Sequence, residues 1–390
     1  MEKNPEFDDI RPYYEDEMAP VVGRLLKDEQ FQKVIKRVLP NVEWTEFEKT
    51  MLALRSRREF QHNLVIDFVT KITDRTAKVV NASGWENISS MGVYTYISNH
   101  RDIILDASIL CTLLGNNGFE TTEIAIGDNL LLYPWIEDLV RLNKSFIVKR
   151  GVSIRQMLEV SKHLSRYIHF TIRDKKQSVW IAQREGRAKN SNDRTQESLL
   201  KMLALGGDKS ILESIAELNI APVALSYEYD PCDYLKAQEF QKKRDNPDFK
   251  KSHQDDLDNM EIGMMGYKGN IHFQFGRPIN PALRKIDSTL KKVELLNETA
   301  SLIDTEIFLN YQFFPINYIA YDKLWGNGFF KEKYSPEDIR TVNDYFQKQL
   351  DKINMPDKDV PFLTEKLLEM YAYPVKNQLS VINNAQINKT

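Results

Sequence analysis

His100 is the residue around which this chain could do chemistry. It follows the apolar run Tyr96-Ile97 and the pair Ser98-Asn99, and Asp102 and Asp106 lie just beyond it. Imidazole titrates near neutral pH, and a carboxylate on its second nitrogen fixes the tautomer and steadies the imidazolium. Such a pair can draw a proton from an alcohol, a step worth on the order of 10²–10⁴ in rate. A histidine near an aspartate also arises by chance, and a buried, satisfied histidine is the plainer alternative. Three later blocks argue against chance: Lys144-Ser145-Phe146-Ile147-Val148-Lys149-Arg150-Gly151, Val179-Trp180-Ile181-Ala182-Gln183-Arg184-Glu185-Gly186-Arg187, and Ile220-Ala221-Pro222-Val223-Ala224-Leu225-Ser226-Tyr227-Glu228.

With His100, these blocks resemble the four motifs of the glycerolipid acyltransferase family, the glycerol-3-phosphate and 1-acylglycerol-3-phosphate O-acyltransferases. The resemblance covers roughly residues 90 to 230, and the blocks come in the family's order. Two departures stand out. The family spaces His and Asp by four residues, and here Asp106 stands one place further on. The family's third motif has a Thr or Gly between Glu-Gly and Arg, which Glu185-Gly186-Arg187 lacks. Both mark a divergent, bacterial-type branch and keep the acceptor open.

The resemblance implies transfer of an acyl group from a thioester, acyl-coenzyme A or acyl-carrier protein, to a glycerol hydroxyl. His100 would be the general base and the nucleophile would belong to the substrate, so no enzyme cofactor, metal or covalent intermediate is expected. Asp106, which leads into a helix as the family's aspartate does, is preferred over Asp102 as partner, although Asp106 also suits a helix N-cap. Cations for an acceptor phosphate would come from Arg150 and Arg187, with Lys149 and Arg184 beside them, since arginine's fork matches phosphate. Ordinary surface charge is the alternative for each. Gly151 lets the backbone turn closely, Gly186 sits within the third block, and Glu185 would bond acceptor hydroxyls or hold an arginine. The polar loop Lys189 to Arg194 could close over the head group. Pro222 and its strand would line the acyl side.

The elements that must position these residues follow from periodicity. Residues 17–80 read as helical, with Arg55, Arg57 and Arg58 on an exposed side that suits either solvent or anionic lipid. From residue 90, strands are expected at 93–98, 123–127, 145–149, 178–183, 221–227 and 270–275. Helices are expected between them at 106–114, 133–141, 154–171 and 195–205. Such alternation predicts an α/β fold with a largely parallel central sheet flanked by helices, and every motif falls at a strand end. Residues 232–260 read as an exposed, charged excursion, and Gly263, Gly266 and Gly269 as turn glycines. The expected organisation is a helical N-terminal region (1–85), an α/β acyltransferase domain (86–285) and a helical C-terminal region (286–390). The aromatic-rich stretch 303–330 suits either a membrane-resting or chain-binding surface, or simple packing of the last helices.

Bulk composition sets bounds. The 390 residues are 42% hydrophobic and 28% charged with net charge −3, which argues for a folded protein and gives no global reason to bind nucleic acid. Cys111 and Cys232 form no disulfide framework or metal spacing and read as reduced, cytoplasmic thiols. The acidic N-terminus lacks a signal-peptide core, and no stretch reaches the ~18 apolar residues of a spanning helix. A lipid enzyme of this kind would meet the inner face of the membrane peripherally. The competing readings are the same chemistry on a non-phosphate acceptor such as an amino acid or aminolipid, a non-catalytic lipid-binding protein, and a metal-dependent hydrolase using His100, Asp102 and Asp106.

Overall fold

The computed structural model describes residues 3–387. Seven strands, β1 (Ala77–Ser83), β2 (Thr95–Ser98), β3 (Glu123–Gly127), β4 (Ser145–Val148), β5 (Val179–Ala182), β6 (Ile220–Tyr227) and β7 (Gly269–Phe275), form one sheet. Their order is β1-β7-β6-β2-β5-β3-β4. Strands β2 to β6 are parallel, β7 joins β6 antiparallel, and β1 lies parallel to β7 at the edge. The fold is therefore α/β with a largely parallel sheet, as the alternation of elements predicts.

Helices α1 (Met18–Lys27), α2 (Glu29–Val38), α3 (Trp44–Ala53), α4 (Arg57–Phe60) and α5 (Ile66–Thr76) precede the sheet. Helices α6 (Leu105–Asn116), α7 (Pro134–Leu142), α8 (Ile154–Arg173), α9 (Glu197–Leu203), α10 (Ile211–Glu217), α11 (Asp233–Asp245) and α12 (His253–Met265) connect its strands. The chain ends in α13 (Asn280–Leu283), α14 (Lys292–Leu309), α15 (Pro315–Tyr321), α16 (Pro336–Asp351) and α17 (Val360–Ile387).

Strand geometry explains the two cores. Successive side chains point to opposite faces, so Ile97, Ile181 and Ile220 enter one core with α8, α9, α10 and α14. Their neighbours Tyr96, Trp180 and Ala221 enter the other with α5 and α6. Central strands buried on both faces read as continuous apolar runs, and β6 is buried along its whole length.

The helical extensions are not separate from this body. Phe31, Phe47, Met51 and Phe60 share a cluster with Leu142 of α7. Arg24 of α1 donates to both oxygens of Asp138 in α7 at 3.0 and 2.8 Å. Ahead of them, the Ile10 carbonyl accepts from Ile147 N at 2.8 Å, covering the β4 edge that would otherwise offer unpaired backbone groups. The main core also takes Leu296, Ile303, Ile307 and Phe308 from α14.

Several expectations are corrected. The helical reading of 17–80 runs into β1, because Val79 and Val80 continue the apolar periodicity of α5 and the pairing that makes them a strand lies far away on β7. The segment 232–260 is an exposed excursion only in part: residues 243–248 are exposed, but Asp233, Lys236, Ala237, Glu239 and Gln241 of α11 are buried, several against the C-terminal helices. Gly263 lies inside α12 rather than in a turn. Of the two readings of the aromatic stretch 303–330, packing holds for most of it: Phe308 and Tyr311 enter the main core, and Phe314 joins Ile319, Phe346 and Tyr371 in a C-terminal cluster, while Phe329 stays exposed. Arg55 donates to the Leu52 and Leu54 carbonyls, and Arg58 pairs with Glu120.

Candidate active site

The site is built at the carboxyl end of β2. Hydrogen bonding of the strand ends at Ser98, but Asn99 extends it with its side chain. Its Nδ2 donates to Leu225 O at 2.9 Å, and Leu225 N donates back to its Oδ1 at 2.8 Å. That reciprocal pair locks the turn to β6 and fixes where His100 emerges. Trp180 donates through Nε1 to Ser98 Oγ at 3.0 Å and sets its ring edge-on to the His100 ring, with centroids 5.7 Å apart.

His100 Nδ1 lies 2.7 Å from Asp106 Oδ2. The same oxygen accepts from Arg101 N at 2.6 Å and Asp102 N at 3.0 Å. Asp106 is fully buried and His100 is mostly so. With Nδ1 donating to the carboxylate, Nε2 carries the lone pair. Asp102 does different work: its Oδ1 accepts from Ile104 N at 2.9 Å and Leu105 N at 2.7 Å, satisfying free amides at the start of α6. Burial raises its pKa, with Asp106 nearby adding to the effect. The two aspartates thus divide the roles of helix start and histidine partner.

Lys149 and Arg150 leave the end of β4. Lys149 pairs with Asp9 of the N-terminal segment, which also lies 2.9 Å from His163 Nε2. Arg150 N donates to Asp128 Oδ1 at 3.0 Å, while its guanidinium approaches Glu185 Oε1 at 3.5 Å and stays a third exposed. Gly151 and Gly186 both have φ of +67°, a conformation that glycine adopts without strain. Glu185 N donates to Gln196 Oε1 at 2.7 Å, leaving the Glu185 side chain outward. Arg187 turns toward α12, donating from Nη2 to Asn259 Oδ1 at 3.0 Å, with Nη1 buried and without a hydrogen-bond partner among the described residues.

A cavity of about 1800 Å³ opens beside this cluster. His100, Lys149, Arg150, Gly151, Glu185 and Gly186 line it together with Arg184, while Arg187 and Asp106 stand behind its wall. Its apolar walls come from α2 and α3 (Ile35, Val38, Phe47), from α5 and α6, and from Leu257, Met260 and Met264 of α12. It exceeds the roughly 300–1,000 Å³ common for small-molecule sites, so it has room for a long aliphatic chain. These wall residues are the functional candidates that sequence reasoning missed. Their only signal was surplus: α12 carries Met260, Met264 and Met265 where one buried face needs fewer.

Two sequence expectations about the site are corrected. Pro222 lies inside buried β6, between β2 and β7, and lines no part of the cavity. The loop 189–194 is not free to close over a ligand. Asp193 is fully buried against Arg101, and Thr195 donates from N (2.8 Å) and Oγ1 (2.6 Å) to Asp304 of α14. Among the described residues, no group of three or more His, Cys, Asp or Glu is arranged to hold a metal ion, and no helix is long and apolar enough to cross a membrane.

The parallel sheet thus carries a histidine–carboxylate pair at a strand end, and the histidine faces an apolar cavity. Residues 79–226 match the family described as Acyltransferase. The matched stretch runs from β1 to β6 and contains His100, Asp106, Arg150 and Arg187. No curated protein sequence matches the chain. Among solved structures it is similar to the crystal structure of the 1-acyl-sn-glycerophosphate (LPA) acyltransferase PlsC from Thermotoga maritima. The identity is 11%, the alignment covers 74% of this chain and 95% of that one, and the TM-score is 0.35.

Proposed function

We propose that this acyltransferase moves a fatty acyl group from an acyl thioester to the hydroxyl of glycerol-3-phosphate or 1-acylglycerol-3-phosphate. The observation that carries the reading is the 2.7 Å contact of His100 Nδ1 with Asp106 on the wall of the apolar cavity. In this reading Nε2 takes the proton of the acceptor hydroxyl as its oxygen attacks the thioester carbonyl. The C–O bond forms, the C–S bond breaks, and the departing thiolate recovers the proton from the imidazolium. Asp106 steadies that imidazolium while it exists. The donor is acyl-coenzyme A or acyl-carrier protein, and the protein itself supplies no cofactor.

Arg150, Arg184 and Lys149 put positive charge on the wall of the cavity that His100 also lines, which favours an acceptor bearing phosphate. Arg187, with Nη1 unpaired, is a further donor to that charge. Glu185 would compete with phosphate for Arg150, or position its fork.

A mass-spectrometric transfer assay tests the reading. Palmitoyl donors of both kinds are offered glycerol-3-phosphate, 1-acylglycerol-3-phosphate and glycine, beside a His100→Ala control. Acylation of a phosphorylated glycerol that vanishes in the control is the expected result. Transfer to glycine alone would keep His100 and overturn the acceptor. A folded, lipid-supplied sample that acylates none of them would overturn the proposal.

A further inference from the structure

The start of α8 stands out from the body of the protein. Residues 153–159 are all exposed, yet Ser153 and Gln156 cap the helix reciprocally, with Ser153 Oγ 2.8 Å from Gln156 Oε1. Ile154 is 88% exposed, and Met157 and Leu158 are 52% exposed. Positions i, i+3 and i+4 share one helix face, so these three side chains make a single apolar patch. Scattered exposed hydrophobic residues need no explanation, but a patch rimmed by charge does. Arg155 lies beside it on α8, and Lys149 and Arg150, which pair with Asp9 and Glu185, lie just ahead of it in the chain.

The patch is continuous with the cavity. Met157 is both exposed and a wall residue, and so are Val34, Tyr133 and Met265, each 37–39% exposed. The cavity therefore opens to the outside through an apolar mouth, and Ile154 and Leu158 extend that mouth without lining the cavity themselves.

We propose that the first two turns of α8 are a bilayer-docking edge. Ile154, Met157 and Leu158 enter the boundary between head groups and acyl chains, while Lys149, Arg150 and Arg155 lie at the level of the lipid phosphates. This rests on the reading of the cavity as an acyl-chain site. A lipid bilayer fits better than a protein partner because of the chain itself. Each methylene crossing water costs roughly 0.8 kcal/mol, and a mouth whose rim is already seated in lipid removes that crossing. Anionic lipid strengthens docking through the cations without being required for it.

Vesicle co-sedimentation tests this with the full chain, using phosphatidylcholine vesicles with and without phosphatidylglycerol. The double variant Ile154→Ser/Leu158→Ser should lose about tenfold or more in vesicle partitioning. Its turnover of a water-soluble, short-chain acyl donor and acceptor should be unchanged. Retained vesicle partitioning would overturn the proposal. Lost activity on a carrier-protein donor with vesicle binding intact would also overturn it, because the patch would then receive a protein. Ile154→Trp supplies a second readout: its fluorescence should shift to the blue on adding vesicles, and no shift overturns docking at this edge. Docking by a protein that transfers no acyl group supports the edge and sinks the catalytic reading, so the two failures are separable.

Discussion

The Arg101 guanidinium lies 2.7 Å from the Asp193 carboxylate, and both side chains are sealed from solvent. Arg101 directly follows His100, and Asp193 lies in the loop after Glu185-Gly186-Arg187, so this pair joins the His100 turn to the loop after that block. Burial pushes the Asp193 pKa up, against the pull of Arg101, Arg184 and Lys236. Removing one member leaves the other charge buried and uncompensated, which costs about 3–5 kcal/mol. Asp193→Ala and Arg101→Ala should each lower the unfolding free energy, read from urea titrations, by that order. Arg101→Met/Asp193→Leu should recover most of the loss. A double variant no more stable than the singles would show that the pair is not the source of the effect.

His100→Ala should reduce kcat/KM by about 10²–10⁴ without altering the fold. Asp106→Asn keeps the shape but weakens support for the imidazolium, so its loss should be smaller and fall on kcat rather than KM. Steady-state kinetics with circular dichroism on each variant checks both. Equal activity in wild type and His100→Ala would remove His100 from the chemistry.

Gly127 ends β3 close to Arg150. A Cβ added there would meet Arg150 Nε at 2.7 Å and Asn129 Oδ1 at 2.5 Å. Gly127→Ala should therefore displace the Arg150 side chain and raise KM for a phosphorylated acceptor several-fold, with stability little changed. A KM that moves instead for the acyl donor would assign Arg150 to the other substrate.

Asp233 gives a pH prediction remote from the site. Burial, with nearby Asp230, pushes its pKa up to about 7, even though Tyr345 and Tyr371 each donate to it at 2.7 Å. The unfolded carboxyl has a pKa of about 3.9, so between these values the folded state holds the extra proton. Stability should therefore fall as pH rises from about 4 to 7 and level off above. Asp233→Asn should lack that slope in urea titrations run across the range. A variant with the same slope as wild type would assign it to another group.

The reach of the sequence is clearest at two places. Strands β2 to β6 were legible because parallel strands are short apolar runs set between helices, and antiparallel β7 because its residues alternate between buried and half-buried. Edge strand β1 was not legible, since its pattern blends into α5 and its partner lies on β7. At the site, the residues around His100 and Arg150 come from contiguous motifs and could be read in sequence. The cavity could not, because its walls gather Val38, Phe47, Met157 and Met264 from helices far apart in the chain. The sequence favoured Asp106 as the partner of His100, as found, but did not show that Asp102 starts α6, for that depends on how the turn bends.

Gly263 carries a consequence for kinship. A Cβ on this α12 residue would lie 2.1 Å from Asp102 Oδ2, so the helix rests directly against the turn that begins α6. In a homologous chain with a larger residue at this position, either the Asp102 side chain gives up the amides that start α6 or α12 stands farther off. In the second case Leu257, Met260 and Met264 would retreat with it and widen the cavity, so one small residue ties the start of α6 to the width of the cavity.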